Sequence, residues 1–209
     1  EVGPSGRLFT SDGYVINSSS GLYLKKLDIG SVFSFIALDG NENIYCSDSN
    51  GYKISKWDSA GNLITEWGSE NELGWPTGIT TDIYGNVFLA DSGNCCIHKF
   101  GPSGNLISQI TGFSQPWGVS VDTANNLWVG DFGADSVIKF DPNGTIITSW
   151  GGYGSSPGMF ACPLPSTDAA GNLYVLDQLN CRIQKYVPIQ STMGACKLAK
   201  DGAFVCLPG

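Results

Sequence analysis

Short apolar runs recur along this chain of 209 residues, each opened by an Asp and an Asn- or Gly-rich turn, and each closed by a second Asp. They read Ile44-Tyr45-Cys46-Ser47, Val87-Phe88-Leu89-Ala90, Leu127-Trp128-Val129-Gly130 and Leu173-Tyr174-Val175-Leu176. A strand that is apolar without alternation is one covered on both faces. A shorter apolar strand precedes the opening Asp, as in residues 78–81 and 118–121. Alternating, hence half-buried, strands follow the closing Asp: Ile97-His98-Lys99-Phe100, Val137-Ile138-Lys139-Phe140 and Ile183-Gln184-Lys185-Tyr186. A Gly-containing hairpin then leads to an outer strand, residues 63–67 or 146–150. The pattern predicts a series of small four-stranded antiparallel sheets.

The opening carboxylates Asp39, Asp82, Asp122 and Asp168 recur after 43, 40 and 46 residues. A four-stranded propeller blade has a period of about 40 to 50 residues. No such sheet hides both faces alone, and stacking neighbours radially solves that problem. The stretch Trp75-Pro76-Thr77-Gly78 through Asn94-Cys95-Cys96-Ile97-His98-Lys99-Phe100 resembles the NHL-repeat family of β-propellers. So does residues 171–186, where Asn180-Cys181-Arg182-Ile183 stands for the family's Asn-His-Arg-Ile. The resemblance spans about residues 35–186 and implies an all-β propeller of four-stranded antiparallel blades. The expected organisation is one propeller domain, with a truncated blade over 1–34, repeats over 35–73, 74–114, 115–159 and 160–189, and a cysteine-bracketed tail over 190–209. Near the N-terminus, Gly3-Pro4-Ser5-Gly6-Arg7-Leu8-Phe9 echoes Gly101-Pro102-Ser103-Gly104-Asn105-Leu106-Ile107, as the hairpin of a cut repeat would. About five blades are visible where the family usually has six. The expectation is therefore a fragment, or a ring completed by another molecule through its unpaired blade edges.

Composition narrows the partners. With 14 % charged residues and 11 % aromatic ones the chain is too apolar to be disordered, and a net charge of -8 disfavours a phosphate-binding surface. Lys56, Lys99, Lys139 and Lys185 fall one per repeat, a solvated strand face rather than the basic patch of an RNA-binding propeller. No apolar run is long enough to span a membrane. Seven cysteines without C-x-x-C spacing favour disulfides over a structural zinc site, and so an oxidising, extracellular location. The acceptor patterns at Asn17 and Asn143 point to the same compartment as sites of glycosylation. The propeller resemblance places Cys162 and Cys181 on one rim, so these are the expected bridge, closing a loop worth about 3 kcal/mol. Cys196 with Cys206 is the second expected bridge, and Cys46, Cys95 and Cys96 stay unassigned.

Candidate chemistry is sparse. Asp48, Asp91, Asp131 and Asp177 close each apolar run and read as turn-capping carboxylates rather than a cation-binding ring in the channel. His98 is the only histidine. One imidazole cannot supply the several that the family's amidating lyase uses for zinc, nor does it complete a Ser/His/Asp set, so it reads as an ordinary strand residue. No catalytic residue, metal site or cofactor is therefore expected. Trp75 and Trp117, beside the Pro that opens a first strand, are candidate rim contacts for a protein or glycan. The expected function is a non-catalytic secreted glycoprotein, a structural or protein- or glycan-binding module that assembles through blade edges as a homo-oligomer. The alternatives are a propeller lyase or hydrolase with a channel metal ion, and a sensing ectodomain of a larger receptor.

Overall fold

A computed structural model of the chain describes residues 2–26, 35–187, 197–198 and 204–205. It is all-β, and its five meandering antiparallel sheets are the blades of a β-propeller, as the repeat predicts. The only helical element among the described residues is a single 3-10 turn, Gln178–Asn180. The chain forms two compact units, Glu1–Gly112 and Phe113–Gly209.

The first unit holds three sheets. They are β1 (Arg7–Phe9), β2 (Tyr14–Asn17) and β3 (Tyr23–Lys26); β4 (Phe35–Leu38), β5 (Ile44–Asp48), β6 (Lys53–Trp57) and β7 (Leu63–Trp67); and β8 (Pro76–Thr81), β9 (Val87–Asp91), β10 (Cys96–Phe100) and β11 (Leu106–Thr111). Residues 7–9 are not the start of an outer strand, as their echo of residues 101–107 suggests. They pair with β2 instead, which lets Phe9 and Val15 bury against Leu38, Ile44 and Cys46. A second cluster joins the next two sheets: Ala37, Tyr45 and Ile54 pack on Leu73, Ile79, Val87, Leu89 and Phe100.

The second unit contains β12 (Pro116–Val121), β13 (Leu127–Asp131), β14 (Ser136–Phe140) and β15 (Ile146–Gly151), then β16 (Pro163–Thr167), β17 (Leu173–Asp177) and β18 (Arg182–Tyr186). A two-stranded sheet, β19 (Lys197–Leu198) and β20 (Phe204–Val205), lies in the C-terminal segment. In the core of this unit, Trp128 and Val137 pack against Phe160, Leu173, Val175 and Tyr186.

The burial pattern follows the sequence pattern. Every residue of β9 and β13 is buried, because both strands lie inside their sheet and are covered on both faces. The outermost β11 is exposed along most of its length. The opening Asp of each repeat folds its own turn: Asp82 Oδ1 accepts from the backbone of Tyr84 and Asn86, and Asp39, Asp122 and Asp168 do the same two and four residues on. These are Asx turns, which Asp and Asn favour because the side chain mimics a backbone acceptor.

Candidate functional site

The closing carboxylates do more than cap the turn that follows. Asp91 ends β9, and its oxygens accept from the backbone N–H groups of Gly74 and Trp75, just before β8, as well as from Asn94 in the turn. Asp131 accepts likewise from Ser114 and Gln115, and Asp177 from Ala161. Each therefore staples the end of a second strand to the start of the first. Asp48 accepts from Asn50 and Gly51 in the turn that follows it.

Register then decides what faces each carboxylate. Cys96 opens β10 directly opposite Asp91, His98 follows two residues along on the same face, and Gln109 of β11 stands opposite His98. In the repeat around Asp177 the same two positions carry Arg182 and Gln184, whose nitrogens donate to the carboxylate at 2.6 and 3.1 Å. Around Asp91 they carry a thiol and an imidazole.

The resulting cluster is dry: Asp91, Cys96 and His98 are 0, 2 and 3 % exposed. His98 Nε2 lies 3.1 Å from Asp91 Oδ2 and 3.4 Å from Cys96 Sγ. On the other side of the ring the Gln109 amide is 3.2 Å from Nδ1. The Phe100 ring stacks beneath the imidazole at 5.6 Å and 17°. Burial raises the Asp91 carboxyl, but the hydrogen bonds from His98, Trp75, Gly74 and Asn94 outweigh it and hold the group at about 2. Burial, and then the Asp91 charge, push the Cys96 thiol up to about 11. An imidazole fixed between a carboxylate and an amide in a water-poor site is the arrangement a proton-transfer group needs. The three donor atoms of Asp91, Cys96 and His98 also lie within 4.8 Å of one another, close enough to hold one metal ion.

Sequence reasoning missed this cluster. It counted histidines, whereas the site mixes an imidazole with a thiol and a carboxylate, and it set His98 aside as a plain strand residue. The signal available was the spacing Asp91, Cys96, His98, which puts three polar side chains on one face once Asp91 and Cys96 bracket a hairpin turn.

The other expected site residues are dispersed. Trp75 is 50 % exposed above its Asp91-held backbone, and Trp117 is half-buried with its ring 5.9 Å from Phe132. Cys162 and Cys181 do not form the expected bridge. The Cys162 thiol is buried and donates to Gln178 Oε1 at 3.1 Å, while Cys181 is exposed in a left-handed conformation. Of the unassigned cysteines, Cys46 and Cys96 are buried and Cys95 is exposed. Cys196 and Cys206 lie outside the described residues. Asn143 is exposed in its hairpin turn, whereas the Asn17 side-chain oxygen accepts from Ser19 and Ser20. The four strand lysines are not merely a solvated face: Lys56, Lys99, Lys139 and Lys185 each lie 4.7 to 5.0 Å above an aromatic ring on the neighbouring second strand.

No protein-family model matches the chain, and no curated protein does, so the NHL likeness stays a resemblance of motifs. Among solved structures, a catalytically inactive His-to-Ala variant of virginiamycin B lyase from Staphylococcus aureus, with quinupristin, is similar at 17 % identity and a TM-score of 0.65, over 97 % of this chain and 68 % of that one. A streptogramin B lyase is similar at 16 % identity and a TM-score of 0.60, over 84 % of this chain. A protein of unknown function from Bacteroides thetaiotaomicron is similar at 18 % identity and a TM-score of 0.64, over 82 % of this chain and 52 % of its own. The chain spans 61 % of the length of the streptogramin B lyase. The likeness reaches 658 solved chains, so it identifies the β-propeller fold and nothing narrower. Against the expectation of a chain without catalysis, three of the similar structures are lyases by name, at 16 to 19 % identity.

Proposed function

We propose that this chain is a β-propeller enzyme of the lyase class in which His98, held between Asp91 and Gln109, moves the proton. The observation that carries the reading is the buried Asp91–His98–Gln109 arrangement. With the Gln109 amide donating to Nδ1, the ring proton sits on Nε2 and is donated to Asp91; with the amide turned over, the proton moves to Nδ1 and Nε2 is free to accept. In an elimination the base takes a proton from carbon, the electron pair forms a double bond, and the leaving group departs and is protonated in turn. His98 is suited to both transfers. Support also comes from the similar lyases, one of which is inactive after a His-to-Ala change. Because the imidazole is 3 % exposed, substrate reaches it only through a movement that opens the cluster.

The compounds to test first are the streptogramin B type, with quinupristin as probe. An elimination opens a cyclic ester to a product of unchanged mass, whereas hydrolysis adds one water. Full-length protein is expected to give the product of unchanged mass. Replacing His98→Gln is expected to slow it by about a hundredfold or more. A His98→Gln rate equal to that of the parent protein would overturn the assignment.

A second reading, a secreted glycoprotein whose rim binds protein or glycan partners, is favoured by the 50 % exposure of Trp75 and by the open position of Asn143. After expression through a secretory host it predicts a glycosidase-sensitive mass that Asn143→Gln lowers. A protein secreted without glycan at Asn143 contradicts it.

A further inference from the structure

We infer that Asp91, Cys96 and His98 form a binding site for one thiophilic divalent cation of the zinc type. The inference takes the cluster of the lyase reading but does not rest on it: with the ion on Nε2 and Gln109 on Nδ1, His98 is a ligand and moves no proton, so proton transfer belongs to the metal-free protein.

The donor set comes first. One thiolate, one imidazole nitrogen and one carboxylate oxygen are the three ligand types that zinc accepts, and a thiolate selects against magnesium and calcium. Geometry comes second. Zinc sits about 2.0–2.1 Å from N or O and about 2.3 Å from S, so a tetrahedral site separates N from O by about 3.3 Å and N from S by about 3.5 Å. Here His98 Nε2 is 3.1 Å from Asp91 Oδ2 and 3.4 Å from Cys96 Sγ. These two separations match edges of such a tetrahedron, and all three donor atoms lie within 4.8 Å of one another.

The surroundings fit as well. All three ligands lie on one face of the β9–β10 hairpin, so no rearrangement of strands is needed to bring them together. The Asp91 carboxylate is anchored by the Gly74 and Trp75 N–H groups; the Gln109 amide nitrogen lies 3.2 Å from Nδ1, and metal binding turns the amide over so that its oxygen accepts from Nδ1–H and the Nε2 lone pair meets the ion. Supporting contacts of this kind fix the orientation of metal-ligating histidines. The corresponding carboxylate Asp177 meets a fixed cation, Arg182, at 2.6 Å. Asp91 has no arginine or lysine partner among the described ion pairs, and a metal cation fills the equivalent electrostatic role. Three protein ligands leave the fourth position for water or a substrate oxygen.

The test uses the full chain, stripped with a chelator under reducing conditions and titrated with cobalt(II). One equivalent is expected to bind with tetrahedral ligand-field bands and a thiolate-to-cobalt charge-transfer band, both lost on adding zinc. Cys96→Ser is expected to abolish the charge-transfer band and His98→Gln to weaken binding at least tenfold, while Cys95→Ser and Cys162→Ser bind as the parent does. Circular dichroism checks the fold of each variant. If Cys96→Ser does not fold, X-ray absorption of the zinc-loaded parent replaces it, with one sulfur and nitrogen or oxygen neighbours expected and an all-oxygen shell contradicting the site. Absence of the charge-transfer band, or its persistence in Cys96→Ser, overturns the inference. Protein that binds cobalt in this way but, in its metal-free form, leaves quinupristin intact refutes only the lyase reading. Protein that converts quinupristin after chelation and binds no cobalt refutes only the metal site.

Discussion

Lys139 illustrates how a residue that looks like surface charge holds a blade together. Its ammonium lies 4.7 Å above the Trp128 ring and 3.1 Å from Asp122 Oδ2, while the Trp128 indole N–H donates to the same carboxylate at 3.2 Å. The motif recurs with Lys99 over Phe88 and Lys185 over Tyr174, because cross-strand pairing sets each lysine opposite the aromatic residue. Lys139→Met keeps the stem and loses the charge, and it is expected to cost about 1 kcal/mol in chemical denaturation. Although burial raises Asp122, its bonds to Asn126 and Lys139 hold the carboxyl below the ordinary 3.8. A carboxyl lowered on folding adds stability above its unfolded value, and that stability disappears as pH falls through the lower folded value. Asp122→Asn is accordingly expected to be less stable than the parent at pH 6, with the difference shrinking below pH ~4. A difference that does not change with pH would contradict the assignment.

The turn between β9 and β10 packs tightly on the backbone before β8. Gly93 in the β9–β10 turn approaches the backbone before β8 so nearly that a Cβ on it would lie 2.7 Å from the carbonyl carbon of Gly74. Backbone, unlike the tip of a long side chain, does not yield cheaply. Gly93→Ala is expected to destabilise by about 1–3 kcal/mol, or to open the turn and speed exchange of the Trp75 amide. Gly40→Ala, where a Cβ meets nothing within 4 Å, is the control and is expected to be near neutral. At this scale the sequence was legible where chemistry is local. The Asp82 turn, the two-sided burial of β9 and the outer position of β11 all follow from residues within a few positions of one another. The closing carboxylates were only half legible. Asp91 satisfies amides 16 and 17 residues earlier, a pairing that depends on β8 and β9 being neighbours.

For the whole molecule, the repeat gave the blades because each one must hide the same apolar strands, and four copies reinforce one another. The candidate site was not legible for the opposite reason: it is where one repeat departs from the others. The positions of Cys96 and His98 carry Lys53 and Ser55, Ser136 and Ile138, and Arg182 and Gln184 in the other repeats, so no common residue marks them, and only the register of β9, β10 and β11 shows that Cys96 and His98 converge on Asp91 and Gln109. The two cysteines of the expected Cys162–Cys181 bridge differ in setting: the Cys162 thiol is buried against Gln178 Oε1 and Cys181 is exposed. The account turns on His98 being a fixed, buried imidazole rather than a strand-surface one, and as the only histidine it gives a single set of ring signals. Nitrogen-15 NMR of the two ring nitrogens in the metal-free protein tests this most directly. One protonated nitrogen carrying a slowly exchanging hydrogen-bonded proton is the predicted result, and ring signals averaged by rapid exchange with water would contradict it.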